Sequence, residues 1–278
     1  MNYTYEELAP SAALSPWIAA FWQVRDAPGH NAPKTQRVLP DGSVDILFDF
    51  GRWRASGRHV SVAARAGSLI GTMTRALVVP MSGVADLFGI RFRPGVIGSL
   101  TACPARTVQD LSVPLSDVGI HLSVSDDELC RESSFENRVR RVSPVLLRLV
   151  GAGTTRDSTV LAAIAAWETA AREEFITLPS VSDIARRVGA TERSLERRFS
   201  AWVGYRPAQF RRLVRFRAAL KGSNAGRRSW AEVAARCGYS DQAHLSRDFS
   251  EFALTTASAW AAEQHPVGFL QDSREASR

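Results

Sequence analysis

Cysteine is scarce in this 278-residue chain: Cys103, Cys130 and Cys237 stand far apart, with no CxxC pair. That spacing excludes a disulfide framework and a cysteine-rich zinc site, and it fits a reducing cytosol. Histidine is as thinly spread. His30, His59, His121, His244 and His265 form no HxH or HExxH pattern, so no metal-ligand spacing is present. His244 and Asp248 are four apart on one expected helix, but two ligands without a third do not make a metal site. No run of about 18 apolar residues occurs, which excludes a helical membrane span. The opening MNYTYEELAPSAAL has acidic residues and no basic-then-apolar order, so it does not read as a signal peptide. P-loop and GxGxxG patterns are missing, GAGT and GSLIG are not nucleophile elbows, and no Ser or Cys has a recognisable partner base. The expectation is a cytoplasmic protein, not an enzyme, with no cofactor and no metal.

What the chain does have is an uneven charge. Its net charge is +7. Residues 1–179 hold 18 basic and 18 acidic residues, whereas 180–265 hold 15 against 8. The final 13 residues balance at 2 against 2, so the whole surplus lies in one segment. Within 186–228 there are 13 basic residues and only Glu192 and Glu196 as acids. A neutral part joined to a basic part is a common layout for a sensor joined to a nucleic-acid binder. The plainer alternative, a solvated basic face, is not removed by charge alone.

The length suits two domains. From about 17 to 93 the runs WIAAFWQV, VDILFDF, HVSVAARA, ALVVP and LFGIRFR read as short strands, punctuated by PDG, FGRW, ASG and MSG. Such spacing suggests an antiparallel barrel or sandwich. After Pro94-Gly95 an apolar helix is expected. From about 126, DDELCRESSFENRVRRVSPVLLRLV and TVLAAIAAWETAAREEF show helical periodicity, and ITLPS at 176–180 reads as a linker. The fold class is α+β in two domains. A β-rich sensor covers 1–125, a helical layer suited to dimerisation 126–175, a DNA-binding domain 176–265 and a tail 266–278.

The basic segment repeats itself. At an offset of 49, Ser180, Ile184, Ala185 and Gly189 align with Ser229, Val233, Ala234 and Gly238. After a one-residue insertion, Leu195, Arg197, Phe199 and Trp202 align with Leu245, Arg247, Phe249 and Phe252. Each copy reads as helix–turn–helix. Ser180-x-x-Asp183 and Ser229-x-x-Glu232 are capping boxes. Gly189 and Gly238 suit a left-handed cap, and Thr191 and Ser240 are placed to cap the next helix. Leu195 with Phe199, and Leu245 with Phe249, mark the core side of each second helix. By spacing, Arg193, Glu196 and Arg197 in the first copy and Gln242, His244, Ser246 and Arg247 in the second face outward. Arg and Gln can pair with guanine and adenine edges in the major groove, so these seven are the expected base readers.

Between the copies, PAQFRRLVRFRAALK starts a helix at Pro207. Its apolar stripe is Phe210, Leu213 and Val214, with Arg211, Arg212 and Arg215 off it. Those three arginines, together with Thr191 and Ser240 at the helix starts, are the expected phosphate contacts.

The run GYSDQAHLSRDF at 238–249, the paired units and the long helix between them resemble the DNA-binding domain of AraC/XylS-type transcription regulators. The turn GYRP at 204–207 is similar to the family's G-x-[ST]-P. The sequence departs from the family in EFALTTASAW, where Leu254 and Ala257 stand in place of Gly and Pro. LPDGSVDILFDFG and FGIRFRPG resemble the β-rich sensor half of one branch. The resemblance implies a cupin-like barrel, a small-molecule effector or dimerisation through that half, a homodimer, RNA polymerase as a partner, and double-stranded DNA as the target.

In the sensor half, Asp45 and Asp49 share a face on a strand of period two, and Asp41 belongs to the Pro-Asp-Gly turn. Asp45, Asp49, Arg91 and Arg93 are the candidates for an effector pocket, against the alternative of solvent-facing positions or ion pairs. Two rival readings remain: a barrel enzyme fused to a DNA-targeting module, and a nucleoid-type binder without sequence preference.

Overall fold

In the computed structural model, residues 3–26, 34–51, 67–81, 85–151, 154–224 and 229–262 are described. The expected strand HVSVAARA (59–66), the FGRW, ASG and MSG turns in large part, and the tail 266–278 lie outside them.

The N-terminal half is built on antiparallel strands. Six of them, β1 (Tyr3–Leu8), β2 (Ile18–Asp26), β4 (Val44–Asp49), β5 (Ser68–Ile70), β7 (Asp86–Phe92) and β8 (Ser112–Pro114), form one sheet in the order β1-β2-β7-β4-β5-β8. A separate ribbon pairs β3 (Lys34–Val38) with β6 (Leu77–Met81). Among the described residues the sheet does not close, so the expected barrel is seen only as a sheet and a ribbon. Alternation along the strands sends Phe21, Ile46, Phe48, Phe88 and Ile90 to one face, where they form a single core with Leu129, Phe135, Val142 and Leu146. Those last four come from α1 (Asp126–Cys130) and α2 (Phe135–Gly151). On the opposite face lie Val24, Leu47 and Leu87, with Tyr5 and Trp22 packed against them. After Pro94-Gly95 the chain makes short 3-10 turns at Ile97–Ser99 and Ala105–Val108 rather than the expected helix.

The C-terminal half is all helical. Its helices are α4 (Val181–Arg187), α5 (Glu192–Trp202), α6 (Pro207–Asn224), α7 (Trp230–Arg236), α8 (Gln242–Phe252) and α9 (Ala257–Ala262). They share one apolar core with α3 (Ser158–Ala170), whose Trp167 meets Phe199 and Phe210. Thus α1 and α2 pack on the sheet, while α3 packs with the C-terminal helices. The segment Ile176–Ser180 is held rather than slack. Ile176 N donates to Arg236 O at 2.7 Å, and Trp167 Nε1 donates to Pro179 O at 3.0 Å.

Candidate nucleic-acid interface

Both copies of the repeat fold as helix–turn–helix units, and local chemistry explains the shape. Ser180 and Ser229 form the expected capping boxes with Asp183 and Glu232. These satisfy first-turn N–H groups that have no partner inside the helix. Gly189 and Gly238 take the left-handed conformation, at φ +66° and +70°, where a side chain would strain the backbone. Thr191 caps α5 as expected, accepting from Ser194 N at 3.2 Å. In the second copy the cap is Asp241, not Ser240: His244 N donates to Asp241 Oδ1 at 2.6 Å. The one-residue insertion falls before the cap, so Asp241 is the true counterpart of Thr191. Ser240 instead bonds Asp241 and the ring of His244.

The outward faces of α5 and α8 differ. On α5, Arg193, Glu196 and Arg197 are all exposed. On α8, Gln242 and Arg247 are exposed, but His244 and Ser246 are half-buried. His244 Nε2 sits 3.0 Å from Arg215 Nη2, and Ser246 Oγ donates back to Gln242 O at 2.9 Å. Burial and the Arg215 charge both hold the His244 imidazole below its ordinary pKa. The readily available groups are therefore five: Arg193, Glu196, Arg197, Gln242 and Arg247.

The three α6 arginines expected at phosphates are engaged by neighbouring groups of the protein, and of the three only Arg215 is buried. Arg211 donates to the carbonyls of Pro179 and Leu178, both at 2.8 Å. Arg212 donates to Asp248 at 2.7 Å and to Glu251 at 2.5 Å. Arg215 is 8% exposed and lies over the Tyr239 ring at 4.3 Å. Asp248 is fully buried; besides Arg212 it accepts from the Tyr239 hydroxyl at 3.0 Å and lies 3.6 Å from Arg215. Arg211 and Arg212 are thus matched by carbonyl and carboxylate oxygens, whereas the buried Arg215 Nε has no hydrogen-bond partner among the described residues. The network ties α8 to α6. Asp248 and Tyr239 were absent from the sequence-based site. The i, i+4 pair of His244 and Asp248 was visible in the sequence, and both residues belong to this network. Among the described residues no group of three or more His, Cys, Asp or Glu could hold a metal ion.

In the sheet, only two of the four expected effector residues come together. β4 and β7 pair in a register that places Asp45 opposite Arg91, with Arg91 Nε 3.4 Å from Asp45 Oδ1. Glu7 and Asp41, which the sequence-based site omitted, complete the cluster at 3.7 and 3.8 Å from Arg91. Trp22 Nε1 donates to Asp45 at 2.7 Å, and Tyr5 stacks beside Trp22. Burial pushes the Asp45 carboxyl up to about 6, against the opposing pull of Arg91. Asp49 and Arg93 are elsewhere: Asp49 accepts from Gly51 N at 3.0 Å, and Arg93 Nε donates to Ser15 O at 2.6 Å.

Two capped helix–turn–helix units on one scaffold helix, in the segment that carries all the surplus charge, define the chain as a DNA-binding transcription regulator. Residues 184–263 match the family described as a helix-turn-helix domain. That domain is of the AraC type. Residues 6–114 match a domain of unknown function, DUF6597. Comparison with curated proteins finds no match.

Among solved structures, a transcriptional regulator from Chromobacterium violaceum with an AraC-type DNA-binding domain is 24% identical. It covers 37% of this chain and 89% of its own, with a TM-score of 0.34. ToxT from Vibrio cholerae O395, bound to (E)-4-(8-methylnaphthalen-1-yl)but-3-enoic acid, is 11% identical. It covers 98% of this chain and 100% of its own, with a TM-score of 0.45. Wild-type ToxT from strain SCE256, bound to an unsaturated fatty acid, is 11% identical, covers 94% and 95%, and has a TM-score of 0.43. These likenesses are too loose to carry residue roles across. No helix among the described residues is long and apolar enough to cross a membrane.

Proposed function

We propose that the chain reads specific DNA sequences with α5 and α8. The observation that carries this reading is the pair of exposed, capped helices presenting Arg193, Glu196 and Arg197 on one unit and Gln242 and Arg247 on the other. Bidentate Arg and Gln contacts to base edges supply sequence preference. The surplus charge of 180–265 supplies a salt-dependent affinity for any duplex. The Thr191 and Ser240 starts of the reading helices are the proposed phosphate contacts, together with the helix N-termini they flank. His244 and Ser246 act at the edge of the second reading face.

The sensor region 1–125 is proposed as cupin-like, the helices of 126–175 as a route to a homodimer, 176–265 as the DNA-binding domain and 266–278 as a tail. The protein is proposed to be cytoplasmic, to have no enzymatic activity, and to work with RNA polymerase. Effector control is proposed through the Asp45–Arg91 cluster with Glu7 and Asp41. Its support is the position of Asp41: the carboxylate faces Arg91, and the backbone carbonyl of the same residue accepts from Arg217 of α6 at 3.1 Å.

Footprinting of the full chain on genomic DNA at physiological salt tests the reading. Discrete protected sites are expected. Uniform occupancy with no site above background would assign the chain to non-specific nucleoid binding instead.

A further inference from the structure

Each reading helix ends in a turn whose carbonyl oxygens have no partner within the helix. In both units those oxygens are taken by the N-terminal half of the chain. At the end of α5, Thr72 Oγ1 donates to Val203 O at 2.7 Å, and Gln109 Nε2 donates to Gly204 O at 2.7 Å. The Tyr205 hydroxyl, from the same turn, donates back to Met73 O. At the end of α8, Ala76 N donates to Phe252 O at 2.7 Å. Arg37 Nη1 donates to Ala253 O at 2.7 Å and reaches Leu254 O at 3.4 Å.

One short segment, Thr72 to Ala76 between β5 and β6, thus touches the end of both reading helices. It is braced from behind. Asp110 accepts from Thr74 N and Thr74 Oγ1, both at 2.6 Å, and its own N–H donates to Thr72 O at 3.0 Å. Thr72 is fully buried. Arg37 lies on β3, the partner of β6 in the ribbon, so its grip on the second turn is continuous with the segment.

From this geometry we infer that the segment 72–76, with Arg37 and Gln109, is a strut that sets the separation of the two reading helices. It thereby sets the spacing of the two DNA sub-sites the protein accepts. The scaffold helix α6, about 27 Å long at 1.5 Å per residue, joins the units along its length: Phe210 packs on Phe199 of the first, and Arg212 and Phe216 meet α8 of the second. The strut adds a hold on the far end of each reading helix from one braced loop, so neither unit can rotate about α6 without breaking a contact to it. Two reading helices enter successive major grooves only at a separation near one DNA turn, about 34 Å, so small rotations of one unit change which spacing fits. Thr72, Arg37 and Gln109 are positioning residues: they touch no base and act through the orientation of α5 and α8.

The inference rests on the DNA-reading function proposed above, and one selection experiment separates the two. The full chain and its Thr72→Val, Gln109→Ala and Arg37→Ala variants are each used to enrich a randomised pool of duplex DNA, and the survivors are sequenced. Thermal melting confirms that each variant is folded; the Gln109 and Arg37 changes remove partly exposed side chains and keep the test alive if Thr72→Val does not fold. The unaltered chain is expected to enrich two sub-motifs at one fixed separation. The variants are expected to enrich the same two sub-motifs, with a several-fold larger share at separations differing by one or two base pairs. Variants that are folded and keep the single separation would overturn the strut. If the unaltered chain enriches no motif, the DNA-reading function itself fails.

Discussion

The two helix–turn–helix units share a sequence pattern and a shape, yet they are anchored by opposite means. Position 198 on α5 and position 248 on α8 are equivalents at an offset of 50. In the first unit the residue is Arg198, partly exposed, which pairs with the Asp157 cap of α3 at 2.9 Å. In the second it is Asp248, buried, which pairs inward with Arg212. The turns that follow diverge in the same way. The first unit uses Gly204 at φ +86°, whereas the second puts Leu254 into the left-handed region at φ +54°. A repeat preserves what the backbone and core require, and each copy settles its polar contacts with whatever lies beside it. The first unit lies against α3 and the sensor half. The second lies mainly on α6 and relies on a buried charge network.

The sharpest way to break this comparison is to remove both equivalents. Asp248→Ala leaves Arg212 and Arg215 without their buried partner and should cost about 3–5 kcal/mol. Arg198→Ala removes a half-exposed partner from Asp157, which keeps its bond from Val160 N, and should cost about 1 kcal/mol. Chemical denaturation of the two variants measures the difference, and equal losses would mean the units are anchored alike.

Exchanging the turn residues comes next. A Cβ at Gly204 would lie 2.9 Å from Thr72 Oγ1 in a left-handed backbone, so Gly204→Leu should destabilise by about 2–3 kcal/mol. The reverse change, Leu254→Gly, relieves a left-handed non-glycine residue and should stabilise by about 1 kcal/mol. Melting curves for the pair should therefore move in opposite directions.

A pH-dependent effect concerns the sensor half. Because burial holds the Asp45 carboxyl up at about 6, the fold binds its proton more tightly than the unfolded chain does. Its contribution to stability is complete below about pH 4 and is lost as the pH climbs through 6. Asp45→Asn should flatten that part of the stability profile. An unchanged slope would show that other groups produce it.

Much of the reading half was legible because its rules are local. Serine with an acid three residues on, glycine after the last turn, and leucine and phenylalanine four apart each act within one or two turns of helix. The cap of α8 was misplaced by one residue because the insertion between the copies falls inside the turn. The burial of Arg215 was not legible for a different reason. Lying off the apolar stripe of Phe210, Leu213 and Val214 predicts solvent only when one side of a helix is covered. Here Phe216, Ala219 and Leu220 are buried as well, because both units and the 176–180 segment pack around α6. In the sheet, period two put Asp45 and Asp49 on one face. Which partners each would meet depended on the Asp45–Arg91 register and on the return of β1 to β2. Glu7, Asp41 and Arg91 are far apart in sequence, and no local rule brings them together. The Leu254 departure from the family pattern was visible in the sequence, and the structure accommodates it by keeping the left-handed turn.

Specific reading by two units is the central claim, and competition binding tests it most directly. Arg197→Ala and Arg247→Ala are measured at one fixed salt concentration on a selected site and on random duplex. Each change should cost about 1–3 kcal/mol on the selected site and leave random binding nearly unchanged. Equal losses on both duplexes would contradict base reading and leave only an electrostatic role for these arginines.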